Sequence, residues 1–187
     1  MRFILFIILI HTSVLVMGQR IDFRNDSVFV NNYYVTGSTS ISTFDSLLNA
    51  RGKEKKKMAK YKPGTKEMIK WTSYTYNKEG LIFNKNDYDT THLGVAIKLY
   101  RNTDPAVDQN NMATRTFKGE LFIDENYMND KRTIEQLQKL KNCSVTYKES
   151  TFSSHTGIVI CNIIYQKRPI NVRFDFMTNQ LTCIFIN

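Results

Sequence analysis

Apolar and polar positions alternate most regularly near the C-terminus of the chain. Side chains alternate between the two faces of a strand, so such alternation predicts half-buried strands. Three runs fit this pattern, at Gly157–Gln166, Ile170–Met177 and Leu181–Ile186, and the links between them contain Pro169 and Asn179, which suit tight turns. The sequence therefore predicts an antiparallel meander of three strands.

The predicted meander has one apolar face and one polar face. Pairing across the turns places Phe174 and Phe176 on the apolar face, beside Phe185 and Cys183. The polar face carries Asn162, Asn171, Arg173, Asp175 and Thr182. A sheet of this kind needs a cover, and an amphipathic helix just upstream can supply it.

The first half of the chain after its leader, residues 19–113, is expected to contain a hairpin, a helix, a basic loop and three strands. The hairpin turns at Asn31-Asn32, because asparagine accepts positive φ, and it follows a short lead-in at Asp22–Asn25. Ser42 and Gly52 suit the start and the stop of a short helix. The predicted strands are Ser27–Val30, Tyr33–Val35, Ile69–Tyr76, Leu81–Asn84 and Leu93–Tyr100.

The second half, residues 114–187, repeats this order. Phe117–Ile123 and Tyr127-Met128 flank a turn, and Thr133 with Gln136 forms a capping box at the start of a second short helix. The meander follows that helix. The repetition concerns the order of elements more than the residues, and it predicts a structural pseudo-repeat. The fold class expected is α+β, strand-dominated and antiparallel, with two short helices.

Three cysteines leave the redox chemistry open. Cys161 and Cys183 lie two strand spacings apart in the predicted meander, about 10 Å, which is too far for a disulfide. A further strand at Cys143–Glu149, paired with the first strand of the meander, would bring Cys143 opposite Cys161 and within reach of a bond. The alternative is that all three are buried thiols that pack as small apolar residues.

Residues 1–18 have the pattern of a secretory signal peptide. A single positive charge at Arg2 precedes the apolar run Phe3–Ile10, and cleavage after the small residue Gly18 would leave Gln19 as the N-terminus. A membrane anchor is the rival interpretation, but a membrane span needs about 20 apolar residues, and polar residues occur here by position 19. We expect an exported protein, periplasmic or secreted, with no transmembrane span after cleavage.

The net charge of +9 is concentrated in one segment. Between Arg51 and Lys70 there are nine basic residues and two acidic ones, and Pro63-Gly64 interrupts the segment, which predicts a loop. This basic loop could attract an acidic protein or an anionic surface, or it could only keep the protein soluble. The candidate partner-binding residues are Lys55, Lys56, Lys57, Lys60, Tyr61 and Trp71. Aromatic side chains elsewhere on an outer sheet face could also form a binding patch.

The sequence contains no recognisable catalytic or cofactor motif. His92 and His155 lack the spacing of metal ligands, no Gly-x-Ser-x-Gly elbow is present, and no paired carboxylates or phosphate-cradling glycines stand out. We therefore expect no metal, no cofactor and no enzymatic activity. Nucleic acid is disfavoured as a partner because no RNP, helix-turn-helix or zinc-finger pattern occurs and the chain is expected to be exported.

Short segments of the chain carry a resemblance to a known group. They are Val28-Phe29-Val30-Asn31-Asn32, Tyr74-Thr75-Tyr76, Glu79-Gly80-Leu81-Ile82-Phe83-Asn84-Lys85 and Phe117-Lys118-Gly119-Glu120-Leu121-Phe122-Ile123, together with the leader that ends before Gln19. The pattern resembles uncharacterised exported domains of Bacteroidota, some of which sit beside toxins in interbacterial competition loci. The resemblance implies a periplasmic immunity-type protein. Many immunity proteins are acidic to match basic nuclease toxins, whereas this chain has a net positive charge. The implied target is therefore an acidic or envelope-directed toxin.

Three function hypotheses follow. The first is a non-catalytic exported domain that binds a protein partner, in its sharpest form an immunity protein that neutralises a toxin. The second is a structural or accessory envelope protein whose basic loop contacts anionic surfaces. The third, a small envelope hydrolase, would require His92 or His155 to lie beside a carboxylate or a thiol in a cleft.

Overall fold

Two β-sheets and two short helices make up the described part of the chain. The computed structural model describes residues 18–61, 65–91, 93–101, 113, 115–140, 158–165, 168–177 and 180–186, with the backbone alone for 58–61, 158–165, 168–171 and 176–177. In chain order the elements are β1 (Arg20–Arg24), β2 (Ser27–Val30), β3 (Tyr33–Val35), α1 (Ile41–Leu48), β4 (Lys53–Tyr61), β5 (Met68–Tyr76), β6 (Leu81–Asn86), β7 (Gly94–Lys98), β8 (Glu120–Ile123), β9 (Asn126–Met128), α2 (Ile134–Leu137), β10 (Ile158–Tyr165), β11 (Arg168–Met177) and β12 (Gln180–Ile186). The strand-dominated α+β fold with two short helices is confirmed.

The smaller sheet, with five strands in the order β3-β2-β1-β8-β9, is built from hairpins. Each tight turn has two consecutive residues with φ between 47° and 65°, the pattern of a type I′ turn, whose twist matches that of the paired strands. The turn residues are Asn25-Asp26, Asn31-Asn32 and Asp124-Glu125. Strand β1 pairs antiparallel with β2 and parallel with β8, so it lies at the centre of this sheet. The expectation of a mere lead-in at Asp22–Asn25 is therefore wrong.

The larger sheet has seven strands in the order β10-β11-β12-β7-β6-β5-β4 and is antiparallel between all neighbours. It joins two meanders edge to edge, because β12 pairs with β7. Both sheets thus combine strands from residues 19–113 with strands from residues 114–187. The order hairpin, helix, meander occurs in each of these halves, and a structural pseudo-repeat between them stays a prediction.

One continuous apolar cluster connects the inner faces of both sheets with the helices. Phe44 of α1 stacks on Phe83 of β6 with ring centroids 4.2 Å apart, which places the helix against the larger sheet. Leu137 of α2 is also fully buried in the cluster. Thr182, expected on the polar face of the meander, is buried as well and donates its hydroxyl to the carbonyl of Asp175 at 2.7 Å.

The helix caps differ in part from the expected ones. The N-cap of α1 is Ser40, whose hydroxyl accepts from the backbone of Thr43, and the helix ends at Asn49, which has φ 47° and ψ 44°. Asparagine tolerates this left-handed conformation, so Gly52 is not needed as the stop. The capping box of α2 is confirmed, with Thr133 and the residue three positions later bonded reciprocally.

The prediction that Phe174, Phe185 and Cys183 share one face is wrong. In the register observed, Phe185 lies opposite Arg173 and Cys183 lies opposite Asp175, both on the face away from the core. Phe174 is fully buried, whereas the Arg173 guanidinium lies 4.0 Å above the Phe185 ring. The register shifts directly after Asp175, and a shift of this kind cannot be detected by counting back from a turn.

The expectation of a basic loop across Arg51–Lys70 is also wrong. Lys53–Tyr61 forms strand β4 at one end of the larger sheet and pairs antiparallel with β5. A run of lysines lacks the apolar alternation that marks a half-buried strand, yet an edge strand can be charged where its side chains stay in water, as those of Lys53 to Lys57 do. Lysines on edge strands also discourage unwanted pairing with other chains.

Several expectations fall outside the described residues. They concern the leader up to residue 17, the polar connection at 102–112 and the segment 141–157, which includes Cys143 and His155. The Cys143–Cys161 bridge therefore stays a prediction, and Cys161 itself lies in β10 in register with Val172. Neither helix of the described ranges is long and apolar enough to span a bilayer.

Candidate functional site

A row of aromatic side chains crosses the outer face of the five-stranded sheet. Residues in register on neighbouring strands share a face, and one such line runs through all five strands in the order Tyr34, Phe29, Asp22, Phe122 and Tyr127. The two aromatic pairs are in contact on either side of Asp22: their ring centroids are 5.6 Å apart for Phe29 and Tyr34 and 5.5 Å apart for Phe122 and Tyr127. We call these five residues the aromatic row.

Two arginines fix the inner rings of the aromatic row. Arg20 and Arg24 flank Asp22 on β1, two residues to either side, so all three side chains leave the same face. The Arg20 guanidinium lies 4.2 Å from the centroid of the Phe122 ring, and that of Arg24 lies 4.5 Å from the Phe29 ring. Both distances fall in the range of cation–π contacts.

Asp22 holds both arginines in place. Its side chain is only 5% exposed, and its Oδ2 lies 3.5 Å from Arg20 and 3.6 Å from Arg24. Both distances are short enough for an ion pair but longer than a good hydrogen bond. A buried carboxylate needs such partners, because an unpaired buried charge is costly. One acid thus orients two cations, and each cation covers one ring.

The outer ends of the aromatic row remain open to solvent. Tyr34 is 52% exposed and Tyr127 is 42% exposed, while Phe29 and Phe122 are half-buried. Tyrosine, phenylalanine and arginine are enriched where proteins bind each other, since large rings with few rotatable bonds lose little entropy on binding. The row is therefore a preorganised surface of the composition found in protein interfaces.

The basic residues proposed from the sequence lie on the other sheet and divide between its faces. Lys55 and Lys57 are in register with Ser73 and Trp71 on the outer face, whereas Lys56 is in register with Thr72 on the opposite face. The side chains of Lys53 to Lys57 are all exposed. The strand backbone continues through Lys60 and Tyr61, whose side chains are not described.

Among the described side chains of this strand, Lys56 forms an ion pair with Glu54. Its Nζ lies 2.9 Å from the Glu54 carboxylate, two residues earlier on the same face. The hydrogen bond to Glu54 raises the pKa of Lys56 above its ordinary value. The pair is exposed, so it contributes little to stability. It does reduce the excess of positive charge on this face of the strand.

Tyr76 is a further titratable group with a shifted pKa, and its role is structural. Burial raises the pKa of the Tyr76 hydroxyl, which donates to Asp45 Oδ1 at 2.8 Å, while the same oxygen accepts the backbone N–H of Gly52 at 2.9 Å. This connects α1, the following loop and β5. On the outer face of the larger sheet, burial raises the pKa of Asp175, and the neighbouring Arg173 opposes that shift.

Within the described ranges, no three His, Cys, Asp or Glu side chains group closely enough to hold a metal ion. His92 and His155 lie outside those ranges, so the constellation required for a hydrolase stays untested.

Sequence reasoning missed the aromatic row, although a signal was present. The offset that superposes Val28-Phe29-Val30 on Leu121-Phe122-Ile123 also superposes Tyr34 on Tyr127. The spacing of Arg20, Asp22 and Arg24 places three charges on one face of a strand. The missing step was the parallel pairing of β1 with β8, which joins distant segments and brings the two aromatic pairs into one line.

Comparisons with protein-family models, with curated proteins and with solved structures found no match to this chain.

Proposed function

We propose that this chain is a non-catalytic exported domain that binds a protein partner through the aromatic row. The observation that carries the proposal is the exposed line of Tyr34, Phe29, Phe122 and Tyr127, held by a buried Asp22 between two arginines. Rings and guanidinium groups already fixed in place lose little freedom when a partner docks.

The partner that fits this surface has apolar side chains ringed by carboxylates. The rings supply apolar contact area, and Arg20 and Arg24 remain 37% and 44% exposed at its margins. Charge complementarity at the margin of an interface mainly speeds association and selects the partner. In its sharpest form the proposal is a periplasmic immunity-type protein, whose target is an acidic or envelope-directed toxin, in keeping with the net charge of +9.

The test is a titration with the purified product of the gene immediately upstream. We expect the double variant Tyr34→Ala/Tyr127→Ala to bind at least about 30-fold more weakly than the wild type, the loss typical of one interface hot spot. The matched control is Tyr33→Ala/Tyr88→Ala, which removes two tyrosines that are 54% and 57% exposed and lie outside the row. Equal weakening by both double variants would refute the row as the interface.

A growth assay separates toxin neutralisation from other forms of protein binding. The upstream product is directed to the periplasm of a test strain, with and without co-production of this chain. Protection by the wild type and its loss in Tyr34→Ala/Tyr127→Ala would support the immunity role. Binding without protection would leave a binding domain and reject the immunity version.

A second candidate function is an accessory envelope protein that contacts anionic surfaces through β4. It is favoured by five consecutive exposed charged residues, Lys53 to Lys57, on an edge strand. Changing Lys55, Lys56 and Lys57 to Glu should abolish binding to anionic vesicles at low salt, and wild-type binding should weaken as salt screens the charges. Unchanged vesicle binding in the variant would assign the strand to solubility alone.

A further inference from the structure

A cleft lined by lysines lies beside β4, β5 and β6, away from the aromatic row. Its volume is about 610 Å³, within the range of pockets that hold small organic molecules. Four lysines line it, together with hydroxyl and amide side chains and one carboxylate. The lining residues include Lys56, Lys57, Lys70, Lys85, Asp87 and Thr90.

The sheet register explains why the lysines meet there. Lys56, Thr72 and Lys85 are in register across β4, β5 and β6, so they form one line on the same face. Lys70 precedes Thr72 by two residues and therefore leaves the same face. Lys57, on the exposed edge strand, also lines the cleft.

The single carboxylate in the lining is committed to the backbone. Asp87 Oδ1 accepts the backbone N–H of Lys70 at 2.9 Å, and the backbone N–H of Asp87 is bonded to the Lys70 carbonyl at 3.1 Å. This reciprocal pair closes the beginning of β5 against the turn after β6. Asp87 thus has a structural role, and Glu54 is paired with Lys56 at 2.9 Å, so the four lysines of the cleft still exceed the two carboxylates near them.

The remaining walls are also fixed by hydrogen bonds. Ser38 Oγ lies 3.4 Å from the carbonyl of Thr90, and Thr36 Oγ1 lies 3.0 Å from Ser38 Oγ, which ties the loop after β3 to the turn after β6. On the floor, Lys85 Nζ lies 5.0 Å from the centroid of the Tyr74 ring. The frame of the cleft and the Lys85 ammonium are therefore positioned before any ligand arrives.

We infer that this cleft binds a phosphoryl group carried on a larger molecule. Several ammonium groups favour an anion with more than one negative charge, and lysine is a common ligand of phosphate. Hydroxyls of Thr72 and Thr90 can donate to the further oxygens of such a group, whereas the Ser38 hydroxyl already donates to the Thr90 carbonyl. The volume exceeds that of a phosphate ion, so space remains for the molecule that carries it. The phosphoryl group can belong to a soluble organic phosphate or to a lipid headgroup.

The test uses the whole exported chain and two probes that distinguish these sources. Pyrophosphate is titrated by calorimetry at 20 mM and 150 mM salt, with citrate as a non-phosphate polyanion, and phosphatidylglycerol vesicles are used in sedimentation. We expect pyrophosphate to bind more tightly than citrate, and binding to weaken at the higher salt. Vesicle binding in place of pyrophosphate binding would identify the headgroup as the source, whereas no binding to either probe would overturn the proposal.

Two pairs of variants distinguish binding in the cleft from attraction to the positive charge of the protein as a whole. Lys70→Gln/Lys85→Gln should lower the affinity for the probe at least tenfold. Lys55→Gln/Lys131→Gln removes the same charge at exposed positions outside the lining and should change that affinity less than twofold. Equal effects of the two pairs, or citrate binding as tightly as pyrophosphate, would overturn the proposal. Lys56→Gln is the second cleft variant if loss of the Lys85 contact unfolds the protein, because the Lys56 side chain is 76% exposed. None of these changes touches the aromatic row, so toxin binding and phosphate binding can fail separately.

Discussion

Replacing Asp22 by alanine should destabilise the protein and release both arginines of the aromatic row. Loss of one partner from a fully buried ion pair costs about 3–5 kcal/mol. Here the carboxylate is buried, but Arg20 and Arg24 are 37% and 44% exposed and can regain water. The 3.5 and 3.6 Å separations are also long for hydrogen bonds. We therefore expect a loss of about 2 kcal/mol.

Urea unfolding followed by circular dichroism measures this loss. For a chain of this size, about 2 kcal/mol corresponds to a fall of about 1 M in the unfolding midpoint, with an unchanged slope. The matched control is Glu120→Ala, since Glu120 lies 3.8 Å from the same Arg20 but is 60% exposed. That control should cost less than about 0.5 kcal/mol and lose its effect in high salt.

Two results would refute this reasoning. If Asp22→Ala changed stability by no more than Glu120→Ala does, Asp22 would not hold the arginines. If the effect of Asp22→Ala disappeared in 0.5 M salt, the carboxylate would behave as a surface group and not as a buried one.

Four further variants test the fold. Tyr76→Phe removes the hydrogen bond to Asp45 and should cost about 1.5–3 kcal/mol at pH 7. Burial raises the Tyr76 pKa above its ordinary value of 10.0, so above pH 10 the unfolded state loses the proton while the folded state keeps it. The wild type should then lose stability by up to about 1.4 kcal/mol per pH unit, and the difference in unfolding free energy between wild type and Tyr76→Phe should narrow. A difference that stays constant with pH would contradict the assignment. Gly80→Ala should lower stability by about 2–3 kcal/mol in urea unfolding, because Gly80 has φ +71° and an added Cβ would clash with the backbone nitrogen of Phe117. Phe174→Ala should cost about 3–5 kcal/mol and Phe185→Ala about 1 kcal/mol, and equal thermal shifts would show that the register is wrong.

The elements that could be predicted from the sequence are those set by local interactions. The Asn31-Asn32 turn follows from a residue type that accepts positive φ, and the Thr133 capping box joins groups three residues apart. The C-terminal strands were also found, since their alternation is independent of what they pair with. Such features need no knowledge of distant parts of the chain.

The features that the sequence did not predict depend on distant pairing. Strand β4 begins with five charged residues and is a strand because β5 supplies its hydrogen bonds. The register shift after Asp175 in the neighbouring strand decides on which face of the sheet Phe185 lies. The aromatic row and the lysine cleft need the order of strands in each sheet, which no local pattern specifies. The candidate site was therefore the least predictable part of the molecule.

Hydroxyl-radical footprinting tests the central claim most directly, because it measures the exposure of single tyrosines in the free and bound protein. The chain is labelled alone and in complex with the purified product of the upstream gene. The account predicts that labelling of Tyr34 and Tyr127 falls several-fold in the complex while that of Tyr33 and Tyr88 stays constant. Protection of Tyr33 and Tyr88 with unchanged labelling of Tyr34 and Tyr127 would contradict it.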